Sequence, residues 1–92
     1  MIAFQIPGYL RAFTDGRGRV EIAEHATHVR QALEHLWALH PGVRDRVVTE
    51  QGDVRQHVNV FVGDESIRFT GGLDTPLAEG AEIWIVPAVS GG

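Results

Sequence analysis

Val58-Asn59-Val60-Phe61-Val62 and Glu82-Ile83-Trp84-Ile85-Val86 set an apolar residue at every second position, the period of a β-strand. The second run meets Pro87 and gives way to Ala88-Val89-Ser90-Gly91-Gly92, an uncharged ending. Val86 precedes a proline and is pushed towards extended geometry. Pro87 has no N–H to give a central ladder, so pairing is expected to stop near it. The five residues from Ala88 to Gly92 then reach about 16–18 Å when extended. Glycine at both last positions removes the Cβ atoms that would block a narrow channel. At a glycine usage of about 7%, a closing Gly-Gly pair arises by chance in roughly one chain in 200. The ending is therefore expected to be a tail for insertion, with the carboxylate of Gly92 at its tip.

Working outward, Gly63-Asp64-Glu65 turns the first of these strands into a brief one over Ser66-Ile67-Arg68-Phe69. Gly71 to Leu77 reads as a loop with one helical turn, and Glu79-Gly80 as a turn. At the other end of the chain, Ile2, Phe4 and Ile6 alternate with Ala3 and Gln5, and Arg19 to Ala23 reads as a second short strand. Asp15-Gly16-Arg17-Gly18 is a turn signal between them, so the two are expected to form a hairpin. From His28 the spacing becomes helical: Val29, Leu33, Leu36 and His40 share a stripe, Thr27 is the expected N-cap, and His40-Pro41-Gly42 stops the helix. Val43 to Val54 reads as irregular, with Val47-Val48 returning to the core in a short turn. Two strands, one helix and three strands make an α+β roll, a mixed sheet of four to five strands with one main helix packed on one face. The first and last strands are expected side by side at its centre, joined in the usual right-handed sense. Residues 1–87 are read as one domain and 88–92 as its tail.

Composition narrows the function. Ninety-two residues with 43% hydrophobic content suit one domain, able to bury roughly 60–65% of its unfolded surface. The net charge is −4 and the eight cations, all arginine, are scattered along the chain, which argues against a nucleic-acid partner. The N-terminus lacks the pattern of a signal sequence, and no apolar run approaches the roughly 20 residues of a membrane helix. A cytoplasmic protein, monomeric when free, is the expectation. There is no cysteine, hence no disulfide, thiol nucleophile or thiolate ligand. There is no lysine either, so an activated C-terminus finds no side-chain amine on its own chain to acylate.

Other signals in the sequence have blander explanations. Five histidines (His25, His28, His35, His40 and His57) keep no metal-ligand spacing with an acidic partner, and surface roles explain them better. Gly71-Gly72 is not followed by a Gly-Lys pair and reads as a tight bend rather than a phosphate loop. The only serines are Ser66 and Ser90, so no hydrolytic triad is expected and the chain is not read as an enzyme.

The segment from Val58 through Arg68-Phe69-Thr70-Gly71-Gly72-Leu73, then Leu77-Ala78-Glu79-Gly80, then Pro87-Ala88-Val89-Ser90-Gly91-Gly92, resembles the MoaD/ThiS family of ubiquitin-like sulfur carriers. Within it, the CysO-type carriers of cysteine biosynthesis are the most similar. The pattern is dense over 57–92 and looser, though consistent in element order, over 1–56. The resemblance implies a β-grasp fold and a two-step chemistry at Gly92. A ubiquitin-activating-type enzyme, using ATP and Mg²⁺, makes an acyl adenylate; a sulfur donor then displaces AMP to leave a thiocarboxylate. No cofactor is implied on the carrier itself, and PLP is implied in a cysteine-synthase-like acceptor. A small subunit serving the large subunit of a molybdopterin synthase, a protein modifier conjugated through Gly92, and an adaptor with an inert tail remain as alternatives. If Ile83 and Ile85 face the helix, alternation puts Phe61, Trp84 and Val86 on the opposite face, beside the root of the tail. An apolar cluster of that kind marks an interface, as the family's use of the same sheet surface implies, unless the Val43–Val54 segment covers it. Arg68 is a further candidate for acidic groups on a partner.

Overall fold

The computed structural model describes residues 1–88. Strands β1 (Ile2–Gln5), β2 (Arg19–Ile22), β3 (Val58–Val62), β4 (Glu65–Ser66) and β5 (Glu82–Pro87) form one sheet in the order β2-β1-β5-β3-β4. β1 and β5 lie parallel at its centre, with Phe4 opposite Ile83, and every other pairing is antiparallel. Helix α1 (Val29–Leu39) crosses one face. This is the β-grasp roll expected from the element order and the family resemblance.

Alternation decides the core. Ile2 and Phe4 of β1, Val20 and Ile22 of β2, Val58 and Val60 of β3, and Ile83 and Ile85 of β5 are buried beneath α1. The helix answers with Val29, Ala32, Leu33 and Leu36, the i, i+3, i+4, i+7 set that forms one stripe. His40 does not extend that stripe. Its φ of −137° makes it the C-cap, one residue past the helix.

At the start of α1 the cap is shifted by one residue from the expected Thr27. His28 is the N-cap, its Nδ1 accepting the Gln31 backbone N–H at 3.2 Å. Gln31 reaches back, its Oε1 accepting from the Thr27 N–H at 2.9 Å. The exchange has the logic of a capping box, with imidazole in the place of a hydroxyl. The segment 75–77 clamps the same end: Val29 N–H donates to Thr75 O, and Leu77 N–H to Thr27 O.

Three further expectations need correction. Val43–Val54 is not irregular throughout, because Pro41–Val47 is a second helix, α2. Pro41 ends α1 yet occupies the first turn of α2, where its missing N–H has no cost, and Val43 and Val47, four apart, are both fully buried. Secondly, the strand foreseen over Ser66–Phe69 stops at Ser66 and becomes a 3₁₀ turn, Ile67–Phe69. The turn sends Ile67 into the core, and Ser66 Oγ accepts the Arg68 N–H at 3.3 Å. Thirdly, the β1–β2 connection is no tight hairpin. A 3₁₀ helix, Gly8–Phe13, buries Leu10 completely before Asp15 and Gly16 turn the chain at positive φ.

Candidate functional site

The root of the tail is built by β3 and β5. Their ladder pairs Phe61 with Trp84, Asn59 with Val86 and Val58 with Pro87. Pro87 does not end the pairing: Ala88 N–H donates to His57 O at 2.8 Å, one step beyond it. Ala88, assigned to the tail from sequence, is thus hydrogen-bonded to the sheet. Val89, Ser90, Gly91 and Gly92, including the proposed reactive carboxylate, lie outside the described residues.

The outward face follows the alternation. Ile83 and Ile85 are buried, whereas Trp84 between them is 42% exposed, and Phe61 and Val86 are half-buried. Phe61 sits between Trp84 and Ser66 in neighbouring strands, so cross-strand packing takes some of its surface. The Val43–Val54 segment does not cover this face. Val43, Val47, Val48 and Val54 all join the core on the helix side. What remains is an aromatic pair on the sheet face away from α1, continuous with the strand that leads into the tail.

Arg68 stands elsewhere. Its Nη2 donates to the carbonyls of Gln56 and Val58, at 3.3 Å each. Because β4 pairs only with Phe61 and Val62, the start of β3 has no neighbouring strand on that side, and the guanidinium occupies that open edge. It also lines a cleft of about 450 Å³ with Arg30, Val60, Ile67 and Leu73, on the helix side of the sheet. Arg68 therefore flanks the tail root from the edge and not from the Trp84 face. Its neighbour Phe69, which sequence reading had placed in a strand, is 88% exposed. The signal available was its position: once Ile67 is the buried residue of a three-residue 3₁₀ turn, Phe69 has no core to enter.

Two of the histidine side chains have local partners. His28 caps α1, and a ring nitrogen of His35 lies 3.3 Å from His25 O. Among the described residues no three metal-ligating side chains converge, and no helix is long and apolar enough to cross a membrane.

A five-stranded β-grasp sheet under one long helix, with a central strand followed in the sequence by a short segment that closes on Gly-Gly, defines a ubiquitin-like protein class. The chain belongs to the ThiS family, whose pattern it matches over residues 4–92. It is 33% identical to the sulfur carrier protein CysO of Mycobacterium tuberculosis, over 99% of this chain and 98% of that one. The crystal structure of the Amycolatopsis orientalis BexX/CysO complex contains a chain 34% identical to it, with a TM-score of 0.88 and full coverage of both. SAMP1 from Haloferax volcanii matches at 30% identity and a TM-score of 0.74, over 99% of this chain and 98% of that one.

Proposed function

We propose that this protein is a sulfur carrier and that its working atom is the carbonyl carbon of Gly92. The Gly92 carboxylate attacks the α-phosphate of ATP, held with Mg²⁺ by an adenylating enzyme of the ubiquitin-activating type. Pyrophosphate leaves and an acyl adenylate remains. Sulfide from a donor attacks the acyl carbon, AMP departs with the bonding pair, and the product is a thiocarboxylate. Its sulfur then displaces a leaving group from an electrophilic carbon of the acceptor, the leaving group departing with the bonding pair, and the product is a thioester. Hydrolysis of that thioester restores the carboxylate and leaves the sulfur on the acceptor. The resemblance of the sequence to the CysO-type carriers implies a PLP-dependent, cysteine-synthase-like acceptor, and dependence on ATP fits a cytoplasmic setting.

The observation that carries the reading is the combination of a tail root fixed beside β3, through the bond from Ala88 N–H to His57 O, with a chain that has no cysteine. Four residues follow Ala88, a reach of at most about 13–14 Å, enough to enter another protein's site while the body stays outside. Without a thiol, covalent sulfur has no side chain on which to ride as a persulfide. The body is then the recognition surface, and the Trp84–Phe61 face gives it an aromatic anchor of the kind that dominates interfaces. The protein catalyses nothing; partner enzymes act on it.

Intact-mass analysis tests this directly. Incubation with an adenylating enzyme, ATP and sulfide is expected to add the mass of replacing one oxygen by sulfur, and deletion of Gly92 to abolish the gain. An unchanged mass with the adenylating enzymes of the same genome would count decisively against a carrier.

A further inference from the structure

The two ends of the β3–β5 ladder differ in charge. At the end away from the tail lie Asp64 in the β3–β4 turn and Glu65 at the start of β4, with Glu82 at the start of β5. Glu79, near the same end, is held by the Met1 ammonium, and Glu82 by Arg19. At the tail end the order is reversed. Residues 55–58 and 85–88 contain no carboxylate but include Arg55, and Arg68 reaches the same place from the edge, Asp53 being the one acid that lines its cleft.

Arg55 and Arg68 share a further property. Among the described residues neither is in an ion pair, which is true also of Arg11, Arg17 and Arg46, whereas Arg19, Arg30 and Arg44 each have an acidic partner. Both are nonetheless held in place. Arg55 Nε donates to Asp45 O at 2.7 Å, and Arg68 uses only Nη2, on the carbonyls of Gln56 and Val58. Those carbonyls bracket His57, whose own carbonyl receives the Ala88 N–H. Carbonyl oxygens orient a guanidinium without neutralising it. A guanidinium has five N–H donors in a fixed fork, so most remain free for a carboxylate on another protein.

We propose that Arg55 and Arg68 form a fixed cationic collar around the root of the tail, and that it seats on an acidic rim at the mouth of the adenylating enzyme's tail channel. This rests on the carrier reading above and adds the chemistry of the partner. The whole protein carries a charge of −4, so an acidic mouth would repel it in most orientations. A positive end at the tail root turns that handicap into orientation: the molecule is attracted tail first. Such fields act on encounter rates and are screened by salt.

The test is kcat/KM for charging by the ubiquitin-activating-type enzyme encoded in the same genome, with ATP and sulfide. It is measured at low salt and at roughly 0.3 M, where the Debye length is well below 10 Å. The wild-type value is expected to fall with salt. The pair Arg55→Gln and Arg68→Gln should lower it roughly tenfold at low salt and flatten the dependence, leaving kcat unchanged. The pair Arg55→Lys and Arg68→Lys should retain most of the wild-type value. Asp64→Asn with Glu65→Gln, at the far end, should leave it unchanged or raise it. If the Lys pair loses as much as the Gln pair, the arginines serve only the β3 edge and the collar is refuted; a Gln pair too unstable to assay leaves the wild-type and Lys-pair salt series to decide. Wild-type protein charged at a salt-independent rate overturns the collar while the carrier stands. Wild-type protein that gains no sulfur at any salt overturns both.

Discussion

At the level of single residues, the proposed carrier role divides the positions that matter into those that would react and those that would be recognised. Gly92 belongs to the first kind, and a chain lengthened past it by one bulky residue is expected to accept no sulfur, with its melting temperature unchanged. Trp84 and Phe69 belong to the second. Both are large apolar side chains left in water, and a Phe that is 88% exposed has no stabilising role in the free protein. Trp84→Ala is expected to cost about 2 kcal/mol at an interface centred on it, roughly thirtyfold in the KM for charging, with little effect on thermal stability. Phe69→Ala follows in the same direction and is read by the same assay. If both variants are charged as fast as the parent protein, the docking surface lies elsewhere.

Among the elements, α1 and the β3–β4 turn hold the ladder that leads to the tail. Leu36 is fully buried on the stripe of α1 that covers the sheet. Leu36→Ala should cost about 2–5 kcal/mol in chemical denaturation, through lost transfer energy and the cavity left behind. Gly63 opens the β3–β4 turn at φ +60°, with nothing within 4 Å of where a Cβ would stand. Gly63→Ala is therefore strained by its backbone alone and should lose about 1–2 kcal/mol, measured in the same way. Helix α2 shows how a short element escapes pattern reading. Seven residues with two buried valines give too little periodicity to outweigh Pro41 and Gly42, which look like a stop. Its sign was Pro41 itself, a helix starter as much as a helix breaker, followed by Val43 and Val47 four apart.

For the whole molecule, absences count as much as contacts. The chain has no lysine, so protein charged at high concentration is expected to show no species in which Gly92 is linked to a lysine of a second copy. Intact-mass spectra of concentrated reactions check this. The same composition leaves arginine as the only cationic side chain at neutral pH, and the fold gathers two arginines without acidic partners at the tail root, far from the Asp64–Glu65 turn.

Period-two alternation in β1, β3 and β5, and the helical stripe of α1, were legible because each depends on neighbours within a few residues. Hydrophobic burial acts on such local patterns directly, and the β-grasp order of elements followed from them. The Gly-Gly ending and the lack of cysteine and lysine, which frame the chemistry, are likewise properties of the linear chain. Packing decided the remainder. β4 ends at Ser66 because Ile67 is drawn into a core made by residues distant in sequence. Arg68 leaves the interface face because the carbonyls of Gln56 and Val58 lack a strand to pair with. The cap moves to His28 because residues 75–77 pin the entry to α1. In each case a buried group or an unpaired backbone carbonyl is satisfied by a partner ten or more residues away, and no local window of sequence contains both halves of that bargain.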